Sequence, residues 1–169
     1  MTNQSFPYTR SDYDLIKNST TPSTSLLRKE KGQSQFQYSP KLIFLYMLSR
    51  HGQLFFNDQR LKIKPQQLIM IFPQQFFKIA TSFQSPIQYY QFQFSVNELV
   101  LTNQQEKVFC QAALKNRQLP PNVQLSVVEQ QQLQTLIDLT ASAYQITMLP
   151  FLLHLCWPDT KKVTVNNYF

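Results

Sequence analysis

The side chains able to do acid–base, nucleophilic or metal chemistry are few: two histidines, two cysteines and nine carboxylates in 169 residues. A metal centre needs three or four convergent His, Cys, Asp or Glu ligands. His51 adjoins a turn and His154 lies in an apolar, helix-like stretch. Cys110 and Cys156 begin no metal-ligand spacing and read as buried or half-buried thiols. The span Leu68 to Val96 contains no His, Cys, Asp or Glu. A nucleophile would need a base and an orienter, and His51 has no evident serine. Asp58 sits in a turn and Glu98 follows a strand, neither with a mate for paired-carboxylate work. Lys78 and the tyrosines are the remaining replacements for a base. With only two glycines, Gly32 and Gly52, no phosphate-cradling loop is available. The expectation is a chain with no catalytic residues, no metal and no cofactor.

Binding chemistry is better represented. Tyr89, Gln91 and Gln93 stand at two-residue spacing on one face of a strand. Such a face either lines a pocket or meets water, and spacing alone leaves both open. Tyr46 and Phe77 could offer ring surfaces to a ligand or belong to the core. These five residues are the candidate ligand-binding set.

The elements that must position them form a ladder of short strands. Leu42 to Leu48 is a continuous apolar run between Pro40 and His51-Gly52. Leu54 to Phe56 follows, with Asn57-Asp58 as a two-residue hairpin turn. In Leu61 to Ile63 the apolar residues alternate with Arg60, Lys62 and Lys64. Leu68 to Phe72 stops at Pro73, Phe76 to Ala80 stops before Pro86, and Ile87 to Val96 is the longest alternation. Many short strands with short links predict a barrel or sandwich.

The period then changes. Thr102 and Gln105 read as a capping box for a helix carrying Val108, Phe109, Ala112 and Ala113. Val123 to Val128 reads as one more strand. Leu133, Leu136, Ile137 and Tyr144 recur at helical spacing in a helix from Glu129. Met148 to Trp157 is a Leu-rich segment interrupted by Pro150. The fold class expected is mainly β, a barrel followed by C-terminal helices. Such charge-poor helices bury themselves against the barrel or a partner, and a two-fold homodimer through Leu133, Leu136, Ile137 and Tyr144 is expected.

Net charge is +7 and uneven: residues 1–65 hold ten Lys or Arg against four Asp or Glu. That half could meet nucleic acid or another anion, or simply be a solvated surface. The 24 glutamines are interleaved with apolar residues and read as uncharged surface. With only two glycines, Asn and Asp are expected to supply the left-handed turn positions. No signal peptide or membrane-length apolar run is present, so a cytoplasmic place is expected, with no membrane contact.

The run from Leu42 to Val96 resembles the N-terminal sensing domain of the arabinose-regulator (AraC) family of transcription regulators. The likeness lies in Leu42–Leu48 with His51-Gly52, then Leu54–Ile63, and the turn Lys64-Pro65-Gln66-Gln67. It continues through LIMIFP at Leu68–Pro73, FFKIA at Phe76–Ala80 and IQYYQFQF at Ile87–Phe94. Gln66-Gln67 replaces the family's usual Gly-Asp, and Phe77 or its neighbour replaces its usual histidine. The resemblance implies a cupin-type barrel, a double-stranded β-helix or jelly roll. It implies an N-terminal arm over residues 1–41, a barrel core over 42–98 and a helical dimerisation region over 99–169. A small effector, such as a sugar or related metabolite, would bind in the barrel. Its binding would be relayed to a helix-turn-helix domain that reads promoter DNA and is absent from this chain. The alternatives are an effector-free dimerisation module with a filled barrel, or a metal-independent cupin enzyme such as a sugar epimerase or isomerase.

Overall fold

Two stretches, LIFLYMLS and QLIMI, are apolar at nearly every position, so both faces of those strands need cover. The computed structural model, which describes residues 24–38, 40–56, 59–95, 120–139 and 141–156, shows how that cover is supplied. The strands are β1 (Thr24–Glu30), β2 (Gln37–Tyr38), β3 (Leu42–Ser49), β4 (Gly52–Phe56), β5 (Gln59–Ile63), β6 (Gln67–Ile71), β7 (Phe76–Ala80), β8 (Ile87–Phe94) and β9 (Asn122–Gln124). Among the described residues two helices follow, α1 (Val127–Asp138) and α2 (Ala141–Cys156). The strands form two antiparallel sheets, ordered β1-β8-β3-β6-β9 and β2-β7-β4-β5. Without β9, these are the two interleaved four-strand sheets of a jelly roll.

The pleat sends alternate side chains to opposite faces. Ile43, Leu45 and Met47 of β3 point between the sheets, where they meet Leu54, Phe56, Ile69, Ile71, Phe77, Ile79 and Tyr89. Leu42, Phe44 and Tyr46 point the other way, onto Met148, Leu149, Leu152 and Leu153 of α2 and Leu133 of α1. The five-stranded sheet is thus the middle layer of three. Each fully buried Leu or Ile contributes about 1.5–3 kcal/mol relative to exposure.

Residues 1–41, expected as an arm with a short strand at Leu26-Leu27, supply two sheet strands from Thr24 onward. β1 has little apolar signal because Arg28 and Glu30 take alternate positions on it. The strand expected over Val123–Val128 is only Asn122–Gln124. Ser126 then caps α1: its hydroxyl accepts from the Glu129 N–H, and the Glu129 carboxylate accepts from the Ser126 N–H. The single helix expected through Leu133 and Tyr144 is interrupted at Leu139, whose extended backbone (φ −67°, ψ 142°) ends α1. Pro150, read as a breaker, lies inside α2. A mid-helix proline costs about 3 kcal/mol, and burial of Met148, Leu149, Leu152, Leu153 and Cys156 offsets it.

Among the described residues the left-handed positions are held not by Asn or Asp but by Arg50, Gln66 and Gln74, besides Gly32. Glutamine also pins turns rather than only coating the surface. Gln67 Oε1 accepts from the Lys64 N–H and its Nε2 donates to Asn122 Oδ1, at 3.1 and 2.9 Å. Gln75 Oε1 accepts from the Phe72 N–H, and Gln124 Nε2 donates to the Pro65 carbonyl. The Asn57-Asp58 turn, the helix expected from Thr102, Cys110 and Glu98 lie outside the described residues.

Candidate functional site

Cross-strand register decides which candidate residues can meet. Tyr89 stands opposite Met47 on one side and Arg28 on the other. Gln91 stands opposite Leu45 and Leu26, and Gln93 opposite Ile43 and Thr24. In the facing sheet Phe77 stands opposite Phe56 and Gln37. Phe77, Tyr89, Gln91 and Gln93 therefore share the inward face. Tyr46 does not join them. It pairs with Tyr90 and lies under the helices with Leu68 and Phe92, so the sheet itself separates it from the other four. Its place in the apolar run of β3 gave no sign of which face it takes.

Around the inward four the structure adds three residues that the sequence reading left out: Arg28 and Glu30 of β1 and Gln37 of β2. The Tyr89 hydroxyl donates to Glu30 Oε1 at 3.3 Å and also hydrogen-bonds the Gln37 side chain. Burial pushes the Tyr89 phenol well above its usual value, and the Glu30 carboxylate adds to that shift. It is therefore a neutral phenol, able both to donate and to accept. Two atoms of the cluster are left over: Arg28 Nε, a donor, and Gln91 Oε1, an acceptor, are buried without a hydrogen-bond partner. Gln91 is 1% exposed. A buried unsatisfied polar group costs about 1–3 kcal/mol. The rest of the interior is closed aliphatic packing, with Leu45, Met47, Ile69 and Ile79 at 0% exposure. The available signal for Arg28 and Glu30 was their two-residue spacing on a strand, masked by the polarity of the whole segment.

The remaining chemically able side chains lie elsewhere. His51 is exposed beside the left-handed Arg50, on an open cleft of about 480 Å³ shared with Gln53, Lys62, Lys64, Thr81 and Ser82. Lys78 sits on the outer face of the four-stranded sheet, over the Phe36 and Phe55 rings. It cannot serve as a base between the sheets. His154 is exposed on α2 and, after the Ser126 hydrogen bonds, helps hold the Glu129 carboxyl below its usual value. The Cys156 thiol is buried and donates to the Leu68 carbonyl at 3.9 Å, and burial pushes its ionisation far up. No group of three His, Cys, Asp or Glu converges among the described residues.

Of the residues expected at a dimer interface, Leu133 is fully buried, and Leu136 and Ile137 are half-buried against the chain's own sheet. Tyr144 belongs to α2, and its side chain lies outside the described residues. The large apolar side chains left exposed on and beside α1 are Val127, Val128 and Leu139. No helix among the described residues is long and apolar enough to cross a membrane.

No protein-family model matches the chain, and no curated protein matches it. Solved structures do show a likeness in outline. A cupin protein from Bacteroides fragilis is 13% identical over 50% of this chain and 75% of its own, with a TM-score of 0.44. A cupin superfamily protein from Desulfitobacterium hafniense is 13% identical over 45% of this chain and 70% of its own, with a TM-score of 0.40. A predicted oxalate decarboxylase from Thermotoga maritima is 12% identical over 42% of this chain and 64% of its own, with a TM-score of 0.39. The jelly-roll topology of the present chain stands on its own strand order.

Proposed function

We propose that the chain is the effector-sensing and dimerisation domain of a cytoplasmic transcription regulator of the arabinose-regulator family. On this reading it is a cupin-type barrel without catalytic activity. The observation that carries the reading is the pair of unpartnered atoms, Arg28 Nε and Gln91 Oε1, in the interior beside Tyr89. One lacks an acceptor and the other a donor. A hydroxyl group supplies both, so the complement is a small hydroxylated metabolite such as a sugar. Phe77 offers a ring face beside it, and Glu30 and Gln37 are further polar partners. Arg28 and Glu30 stand on β1, within the segment read as the arm. A ligand bridging them to β8 would favour one arrangement of arm and barrel over another, and only that difference in affinity can be relayed. The relay would pass through a homodimer to a DNA-reading domain outside these residues.

Calorimetric titration of the protein against pentoses, hexoses and hydroxy acids tests this. The expected result is a saturable ligand whose binding is lost in Gln91→Leu. If no hydroxylated compound binds, and Gln91→Leu only raises the melting temperature, the barrel is a filled structural module and the sensing role falls.

A further inference from the structure

The outer face of the four-stranded sheet carries an ordered surface that the barrel site does not use. One row runs from Phe36, just before β2, across β7, β4 and β5, and alternates ring with cation: Phe36, Lys78, Phe55, Arg60. The Lys78 ammonium lies 4.9 Å from the Phe36 ring centre and 5.0 Å from that of Phe55, and the Arg60 guanidinium lies 5.2 Å from Phe55. On one side of this row Tyr38 and Phe76 stand opposite each other, ring centres 4.9 Å apart and tilted by 33°. On the other side the small Ala80 opens onto the 480 Å³ cleft walled by Lys62 and Lys64. Phe36, Tyr38 and Phe76 are 58, 52 and 48% exposed. The carboxylates among the described residues are elsewhere: Glu30 on the inner face of β1, and Glu129 and Asp138 on α1.

We propose that this face binds single-stranded nucleic acid, with phosphates at Lys62, Lys64, Lys78 and Arg60 and unpaired bases on the exposed rings. Charge complementarity selects a polyanion, since four cations share the face with no carboxylate among the described residues. The rings then select among polyanions. A duplex keeps its base faces inside its own stack, so it meets the cations and leaves the rings idle, whereas an unpaired base has a free π face. A second copy of the chain, docked by a two-fold axis, would set these four cations against the same four, which repel. The cleft volume falls in the range that holds a small ligand such as one nucleotide.

The test is fluorescence anisotropy of the full chain with labelled ~15-nucleotide oligo(dT) and oligo(rU), against a duplex of equal length, at about 50 and 200 mM salt. Single strands are expected to bind at least about tenfold more tightly than the duplex, and more weakly at the higher salt. Phe36→Ala with Phe76→Ala, and separately Lys62→Gln with Lys64→Gln, should each weaken binding about tenfold or more. The exposed positions of these residues leave the fold intact, which circular dichroism verifies. Gln91→Leu, inside the barrel, should leave oligonucleotide binding unchanged, so this inference and the effector reading fail separately. Equal affinity for duplex and single strand, or indifference to loss of the rings, overturns the proposal in favour of non-specific charge attraction. Binding only to phosphatidylserine vesicles, or no binding at all, overturns it as well.

Discussion

The centre of the five-stranded sheet is buried on both faces, and the four-stranded sheet on one. In the first, β3 and β6 have no exposed residue from Leu42 to Met47 or from Gln67 to Ile71. The inner side chains pack between the sheets and the outer ones under α1 and α2. In the second, β5 alternates Gln59, Leu61 and Ile63 inward with Arg60 and Lys62 outward. The same strand geometry therefore gives two different sequence textures, a continuous apolar run and a period of two. Helical cover, and not the strand itself, decides which texture appears. A covered sheet carries the stability of the molecule, and a bare one is left to interact.

The sharpest way to break this contrast is to truncate one residue on each side. Leu152 is fully buried between α2 and the covered sheet. Leu152→Ala should lose about 2–5 kcal/mol in urea denaturation. Phe76→Ala, on the bare face, should lose less than about 1 kcal/mol despite removing the larger side chain. Equal losses would show that the helices are not what holds the middle layer.

High pH offers a smaller effect on the same side. Burial raises the ionisation of Cys156 on α2 and of Tyr46 and Tyr89 on the covered sheet. Below about pH 9 the thiol is protonated whether the chain is folded or not. Above it the unfolded chain releases that proton while the folded chain keeps it, so stability falls as pH rises. The limiting slope is about 1.4 kcal/mol per pH unit for each such group. The tyrosines join above pH 10, their usual value. Cys156→Ala should flatten the first part of that decline, as read from melting temperatures between pH 8 and 10. An unchanged pH profile would place the thiol in contact with water.

The smallest effect concerns the turn that joins the two sheets, between β5 and β6. Gln66 sits there at φ 65°, where a side chain costs about 1–2 kcal/mol and glycine does not. Its backbone is well used, the N–H donating to the Met47 carbonyl at 2.6 Å and the carbonyl accepting from the Leu125 N–H at 3.0 Å. Gln66→Gly should gain about 0.5–1 kcal/mol after the entropic loss of a freer unfolded chain. A loss would mean that the glutamine side chain contributes more than its strain.

What could be read from the sequence follows the same division. Strands β3 to β8 announced themselves because one or both of their faces are apolar. β1 shows only as a short strand at Leu26-Leu27, because its inner face includes Arg28 and Glu30, and an inward polar residue resembles loop chemistry. The candidate site shared this fate. Phe77, Tyr89, Gln91 and Gln93 were visible as a strand face, whereas Arg28, Glu30 and Gln37 came from a segment read as an arm. Tyr46 was placed with them because only the pairing Tyr46–Tyr90 beside Met47–Tyr89 reveals which side of the sheet it takes. The α1 boundary was legible in Ser126 and Glu129 as a capping pair, but the β-branched Val127 and Val128 drew the reading toward a strand.

Strand β1 has a further consequence, in the order of folding. Among the described strands it lies at the edge of its sheet, paired with β8 alone. The Tyr89–Glu30 hydrogen bond joins residues 59 apart in the chain. During synthesis β1 leaves the ribosome well before its partner exists. Such non-local pairing slows folding, toward milliseconds or seconds rather than microseconds. The charges beside Leu26-Leu27 keep β1 soluble through that wait, because a strand with Arg28, Lys29 and Glu30 at its end is a poor template for a stray neighbour.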